Sequence, residues 1–156
     1  MNGYPIAAEA LDLEIYQLAC AVAASSALHR LGKTNSEIKR LVKTFECSEL
    51  SRRLIALAVT IRNIDEGGWL RNAKDPPVGT LIPDERQPDS SEPLKLREAC
   101  NKLVHAQDVD FFPGVDDMDE DTPISHIIEL WGSKRGKRWI ATLDLFKFVE
   151  AASARA

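Results

Sequence analysis

Cysteine is scarce. Cys20, Cys47 and Cys100 stand far apart and form no CxxC pair. That spacing excludes a zinc knuckle, and an odd count fits a reducing compartment better than a disulfide framework. Histidine is equally sparse, and neither His29 nor His126 has a ligand-spaced partner. A GxSxG elbow and a glycine-rich phosphate loop are both missing, which removes the usual hydrolase and nucleotide-loop readings. The start, MNGYPIAAEA, lacks the basic residues and apolar run of a secretion signal. The apolar tract at residues 18–24, LACAVAA, is too short to span a bilayer. These absences point to a soluble, cytoplasmic chain with no membrane attachment. A net charge of −4 excludes a general nucleic-acid coat and leaves room for a local basic patch.

What is present suits one domain over residues 1–156, with 44% hydrophobic and 28% charged residues, enough to bury a core unaided. Helical spacing and frequent alanine predict a long core helix over residues 6–31, stopped by Gly32. Asn35 or Thr34 is placed to cap a second helix, Ser36 to about Phe45, and Ser48 to cap a third that runs to about Asp65. Gly67 and Gly68 then break the pattern. Residues 67–92 read as one long irregular loop with Trp69 anchoring its start and VGTLI, residues 78–82, as a brief strand. The acidic stretch from Asp108 to Asp121 lacks the alternating ligands, turn glycine and closing glutamate of an EF-hand, so it reads as a solvated loop.

Residues 126–143 switch to a period-two pattern. HIIELW and RWIATL read as the strands of a β-hairpin, with GSKRGK between them. Lys134, Arg135, Lys137 and Arg138 crowd its tip, where they serve either to track a nucleic-acid backbone or simply to solvate a turn. Asp144 caps a last short helix. The expected architecture is therefore mainly α: an antiparallel bundle of four to five helices with a C-terminal β-hairpin.

The stretch Leu94 to Ala106, LKLREACNKLVHA, carries the chemistry. With Ser91 as cap and Glu92 and Pro93 in the first turn, it predicts a helix ending near Gln107. Leu96, Ala99, Cys100, Leu103 and Ala106 form its apolar face. Arg97, Asn101 and His105 recur at steps of four and share an arc of about 80° on the polar side. A guanidinium, an amide and an imidazole thus project as one row.

The segment Leu96–Ala106 resembles the signature helix of the HEPN domains, which commonly runs Leu-Arg-x-x-Arg-Asn-x-hydrophobic-hydrophobic-His-Gly. Leu96, Arg97, Asn101, Leu103, Val104 and His105 fall in matching places. The family's second arginine is replaced by Cys100. The resemblance implies a helical bundle that often forms homodimers, with signature helices facing across the dimer axis. Many HEPN proteins are metal-independent endoribonucleases of toxin–antitoxin, phage-defence or RNA-processing systems, needing no cofactor and acting on RNA beside an antitoxin or other protein partner. By analogy His105 is the acid/base, Asn101 orients the site, and Arg97, one turn away, stands in for the missing arginine.

Three readings are open at this point. In the first, His105, Asn101 and Arg97 cleave RNA by moving the proton of a ribose 2′-hydroxyl, work suited to an imidazole with an ordinary pKa of about 6.5. In the second, the domain is nuclease-inactive and serves as a binding or dimerisation module. In the third, a helical interaction protein of unrelated descent simply solvates the row.

Overall fold

The computed structural model describes residues 5–66, 75–116 and 121–154. Two long helices come first: α1, Pro5–Gly32, and α2, Ser36–Glu66. Asn35 caps α2, its Oδ1 accepting from the backbone N–H groups of Glu37 and Ile38 at 3.1 Å each. The break expected near residue 46 is absent. Ser48 donates back to the Phe45 carbonyl at 3.1 Å and Ser51 to the Cys47 carbonyl at 2.9 Å. Both hydroxyls are thus satisfied inside the helix and do not cap a new one. Links from Gln17 to Arg53 and from His29 to Glu46, each 2.7 Å, fasten α1 and α2 side by side and antiparallel. His29 is a structural member of this pair.

A five-stranded sheet overturns the expected helical bundle. Strands β1 (Pro77–Ile82), β2 (Glu92–Lys95), β3 (Asp108–Asp110), β4 (Ile127–Lys134) and β5 (Lys137–Asp144) pair antiparallel in the order β2-β1-β5-β4-β3. The fold is mixed α/β. Much of the stretch expected to be an irregular loop supplies strands, with a short 3-10 turn at Pro88–Ser90. Trp69 lies outside the described residues. Glu92 and Pro93, expected in a first helical turn, sit in edge strand β2, where a proline costs no ladder bond. Charged residues mark both edges, Glu92 and Lys95 on β2, Asp108 and Asp110 on β3, and discourage pairing with other chains.

The two remaining helices, α3 (Leu96–His105) and α4 (Leu145–Ser153), lie on one face of the sheet. Asp144 Oδ1 caps α4, accepting from Phe146 and Lys147 N–H at 3.0 and 3.1 Å. Along β4 and β5 the buried inward residues Ile128, Leu130, Ala141 and Leu143 alternate with half-buried outward ones, and Val78, Leu81 and Leu94 of β1 and β2 are buried as well. On top of α3 and α4 lie α2 and α1 respectively. The chain is thus layered: sheet, short helices, long helices.

Candidate functional site

Helix α3 is held by its apolar face. Leu96, Ala99 and Cys100 are closed to solvent against the core. Its start has no cap from its own N-cap residue, Lys95; instead Asp75 Oδ1 accepts from the Arg97 N–H at 3.3 Å. Its end is tied to the sheet, where Gln107 N–H donates to the Trp131 carbonyl at 2.8 Å. These two anchors turn the polar side of α3 toward the β4–β5 hairpin.

A cleft of about 560 Å³ opens between them, lined by Glu98, Asn101, Lys102, His105, Gln107, Ser133, Lys134 and Trp139. A second hollow of about 290 Å³ adjoins it through Glu98, Lys102, Lys134 and Trp139, and adds Glu92, Arg135 and Lys137 to the rim. Four cations therefore face two carboxylates around the joined space.

Of the polar row, Asn101 and His105 line this cleft and Arg97 does not. Arg97 Nε donates to Asp65 Oδ2 at 2.6 Å, and its Nη2 pairs with the same oxygen. The guanidinium is committed to the end of α2, one turn before Asn101, and its role is to join two helices. This corrects the expectation that Arg97 reaches the site. Asn101 is oriented by Glu98, whose Oε2 accepts from Asn101 Nδ2 at 3.4 Å. The other oxygen of Glu98 pairs with Lys102 Nζ at 3.3 Å. His105, the last residue of α3, is exposed.

Lys102 was missed by sequence reasoning, though Glu98 and Lys102 form the i,i+4 pair favoured on helices. Only 7% of Lys102 is exposed. Its ammonium lies 4.4 Å from the centroid of the Trp139 ring, a cation–π contact in a partly dry site. Trp139 is 2% exposed and lies across Gly132, where a Cβ would meet the ring at 2.3 Å. Glycine at this rung lets the indole lie flat and carry the lysine. Gln107, Ser133 and Trp139 gave no local signal; they reach the cleft only through strand pairing.

The four hairpin cations divide by strand parity. Lys134 and Lys137 pair at the last rung, and Arg135 with Gly136 forms the two-residue turn, both at positive φ of 52° and 75°. Those φ values are the signature of a type I′ turn. Arg138 is one rung back, opposite Ser133, and faces the other way. It sits 4.6 Å from the Trp131 ring and 3.7 Å from Glu85. Lys134, Arg135 and Lys137 therefore border the cleft, and Arg138 does not.

Cys100 stands where the HEPN line has an arginine, and it points into the core. Burial pushes its thiol up to about 12, with the Asp75 carboxylate adding to the shift and Arg62 opposing it. It supplies neither a cation nor a nucleophile to the cleft. Among the described residues no group of three or more His, Cys, Asp or Glu is placed to hold a metal ion. Those residues also contain one helix long and apolar enough to cross a membrane, Glu9–Gly32. The tract at residues 18–24 is short, but the helix that continues it is not.

No protein-family model matches the chain, and searches of curated proteins and of solved structures find no match.

Proposed function

We propose that the cleft between α3 and the β4–β5 hairpin binds the phosphate backbone of single-stranded RNA. The observation that carries this reading is convergence: Asn101 and His105, from one helix, line the same cleft as Lys134, from a hairpin about thirty residues later. Lys134, Arg135 and Lys137 supply mobile cations at the rim. Asn101, Gln107 and Ser133 supply neutral donors and acceptors for sugar or base edges. The HEPN resemblance points to the same ligand through the same helix, inside a different architecture. Trp139 offers no stacking face, since Lys102 and Gly132 already occupy its ring.

The test is fluorescence anisotropy with a labelled single-stranded RNA over a salt series. Three phosphate contacts give a slope of about −2 in log affinity against log salt. Changing Lys134 and Lys137 together to alanine should flatten that slope by more than half and weaken binding. Arg97→Ala should leave both unchanged. Wild-type affinity in the double variant would sink the reading.

A second reading, metal-independent RNA cleavage, is favoured by the exposed imidazole of His105 on a wall shared with Lys134. In that chemistry His105 takes the 2′-hydroxyl proton, the 2′-oxygen attacks phosphorus, and the 5′-oxygen leaves with a proton from water. Lys134 offsets the charge on the phosphoryl oxygens. Cleavage in EDTA that disappears in His105→Ala and persists in Arg97→Ala would establish it. Binding without turnover would leave the domain a binding module.

A further inference from the structure

The cleft is uneven in charge. Its two hollows share Glu98, Lys102, Lys134 and Trp139. The larger, about 560 Å³, adds the neutral groups of Asn101, Gln107 and Ser133 and the imidazole of His105. The smaller, about 290 Å³, adds Glu92, Arg135 and Lys137, and the rest of its lining, Leu81 and Pro83, is apolar. With His105 neutral, Lys102 and Lys134 face Glu98 around the larger hollow, an excess of one positive charge. Around the smaller, Lys102, Lys134, Arg135 and Lys137 face Glu92 and Glu98, an excess of two.

The hairpin builds this excess at some cost. Lys134 and Lys137 are partners at its last rung, so their side chains stand side by side on one face. Like charges directly opposite in a strand pair are destabilising. Trp139 lies two residues beyond Lys137 and therefore on the same face. Its ring carries the Lys102 ammonium, 4.4 Å from the centroid. Three ammonium groups are thus gathered on one side of the hairpin, and one of them belongs to a lysine almost wholly enclosed. Glu98 answers Lys102 at 3.3 Å. Two further acids on β1's exit are committed to arginines: Arg86 donates twice to Asp84 at 3.1 Å, and Arg138 pairs with Glu85 at 3.7 Å. Lys137 adds to the field that holds the Asp84 carboxyl below its usual range, but only after Arg86.

An internal phosphodiester carries one negative charge, which the larger hollow matches. A phosphomonoester at the end of a strand carries about 1.5 to 2 negative charges at pH 7 and three strong acceptor oxygens. That is the charge the smaller hollow matches. The Leu81 and Pro83 side chains there offer no donor or acceptor to a sugar or base continuing past the phosphate.

We infer that the smaller hollow holds the terminal phosphomonoester of a bound strand, which leads away through the larger one. Lys102, Lys134, Arg135 and Lys137 take the phosphate, and Asn101, Gln107 and Ser133 meet the nucleotides next to it. The inference rests on the RNA-binding reading and adds the strand end as the feature recognised. A 5′- and a 3′-phosphate have the same chemistry here, so the experiment separates them.

Fluorescence anisotropy on the full chain compares short single-stranded RNAs of one sequence. One pair has a 5′-phosphate or a 5′-hydroxyl and is labelled at the 3′ end; the other has a 3′-phosphate or a 3′-hydroxyl and is labelled at the 5′ end. At one end the phosphate form should bind about tenfold tighter than the hydroxyl form, the gain expected of hydrogen bonds to a charged group. At the other end the two forms should bind alike. Arg135→Asn with Lys137→Ala should bring the ratio close to one at unchanged circular dichroism, since asparagine suits the left-handed turn position. Equal affinity of phosphate and hydroxyl forms at both ends would overturn the terminal pocket and leave the RNA reading standing. Equal gains at both ends, or a ratio that survives in the double variant, would show added charge acting without the pocket and would overturn it as well. No binding of any of these RNAs would overturn both readings. The matching nucleoside monophosphate should compete only weakly; competition as tight as that of the phosphorylated RNA would overturn the strand as ligand.

Discussion

At position 100 the side chain is wholly enclosed and its thiol stays protonated to about pH 12, burial being the main cause and the Asp75 charge the second. An arginine here would enter the core and miss the cleft. The departure from the HEPN line therefore removes nothing from the cleft in this fold; Cys100 packs as a small hydrophobe. Its chemistry gives a prediction. In native protein Cys47 should react with a maleimide or an aromatic disulfide while Cys100 stays unmodified until unfolding, as read by peptide mapping. Equal labelling rates would refute the enclosed thiol. The pH dependence has a definite sign. The folded pKa lies above the unfolded value of about 8.5, so the contribution to stability is complete below that pH and is lost as pH rises toward about 12. Cys100→Ala should lose less stability than wild type across that window in denaturant titrations.

At the scale of elements, the hairpin is the piece on which the cleft depends. Its stable part is the rung that pairs Gly132 with Trp139, since the indole fills the space a side chain would take. Gly132→Ala drives a methyl into the ring and toward the His105 carbonyl, 3.1 Å from the added carbon. The expected cost is about 1–3 kcal/mol of stability. The displaced indole also withdraws the support beneath Lys102, so RNA affinity should fall in the same variant and tryptophan emission should shift. Loss of stability with full affinity would show that the Lys102–Trp139 platform is not part of the binding surface.

Elements also differ in how much of them sequence reasoning reached. The helix at residues 96–105 was legible because its apolar and polar residues separate cleanly at helical period. The hairpin was legible because β-branched and aromatic runs flank a glycine turn. The strand at VGTLI was legible as well and is β1; β2 and β3 were not, because they hold four and three residues and are rich in charge or proline. Such strands gain their order from neighbours, and local pattern carries little trace of it. The break expected near Ser48 failed for the opposite reason: a serine is a cap only when its hydroxyl is not already bonded to the preceding turn. In the site, Asn101 and His105 were recoverable from helical phase. Arg97 shares that phase, but Asp65 at the end of α2 captures it, a tertiary fact invisible to periodicity.

Taken whole, the molecule presents two faces with different physical character. The polar face is the cleft, lined by residues of α3 and the hairpin. The apolar face is the outer side of α1 and α2. Between them lie α3, α4 and the packed core, so substitutions in the two surfaces share no side-chain contact. Effects at such separated sites add. An Ala23→Arg chain should therefore bind RNA with wild-type affinity at fixed salt, because position 23 is on the exposed side of α1 and the cleft is lined by α3 and the hairpin. Fluorescence anisotropy with an RNA of a few nucleotides checks this, and titration should end at one RNA site per chain. A fall in affinity in that variant, at unchanged circular dichroism, would mean that the outer side of α1 takes part in binding, and the two faces would not be separate.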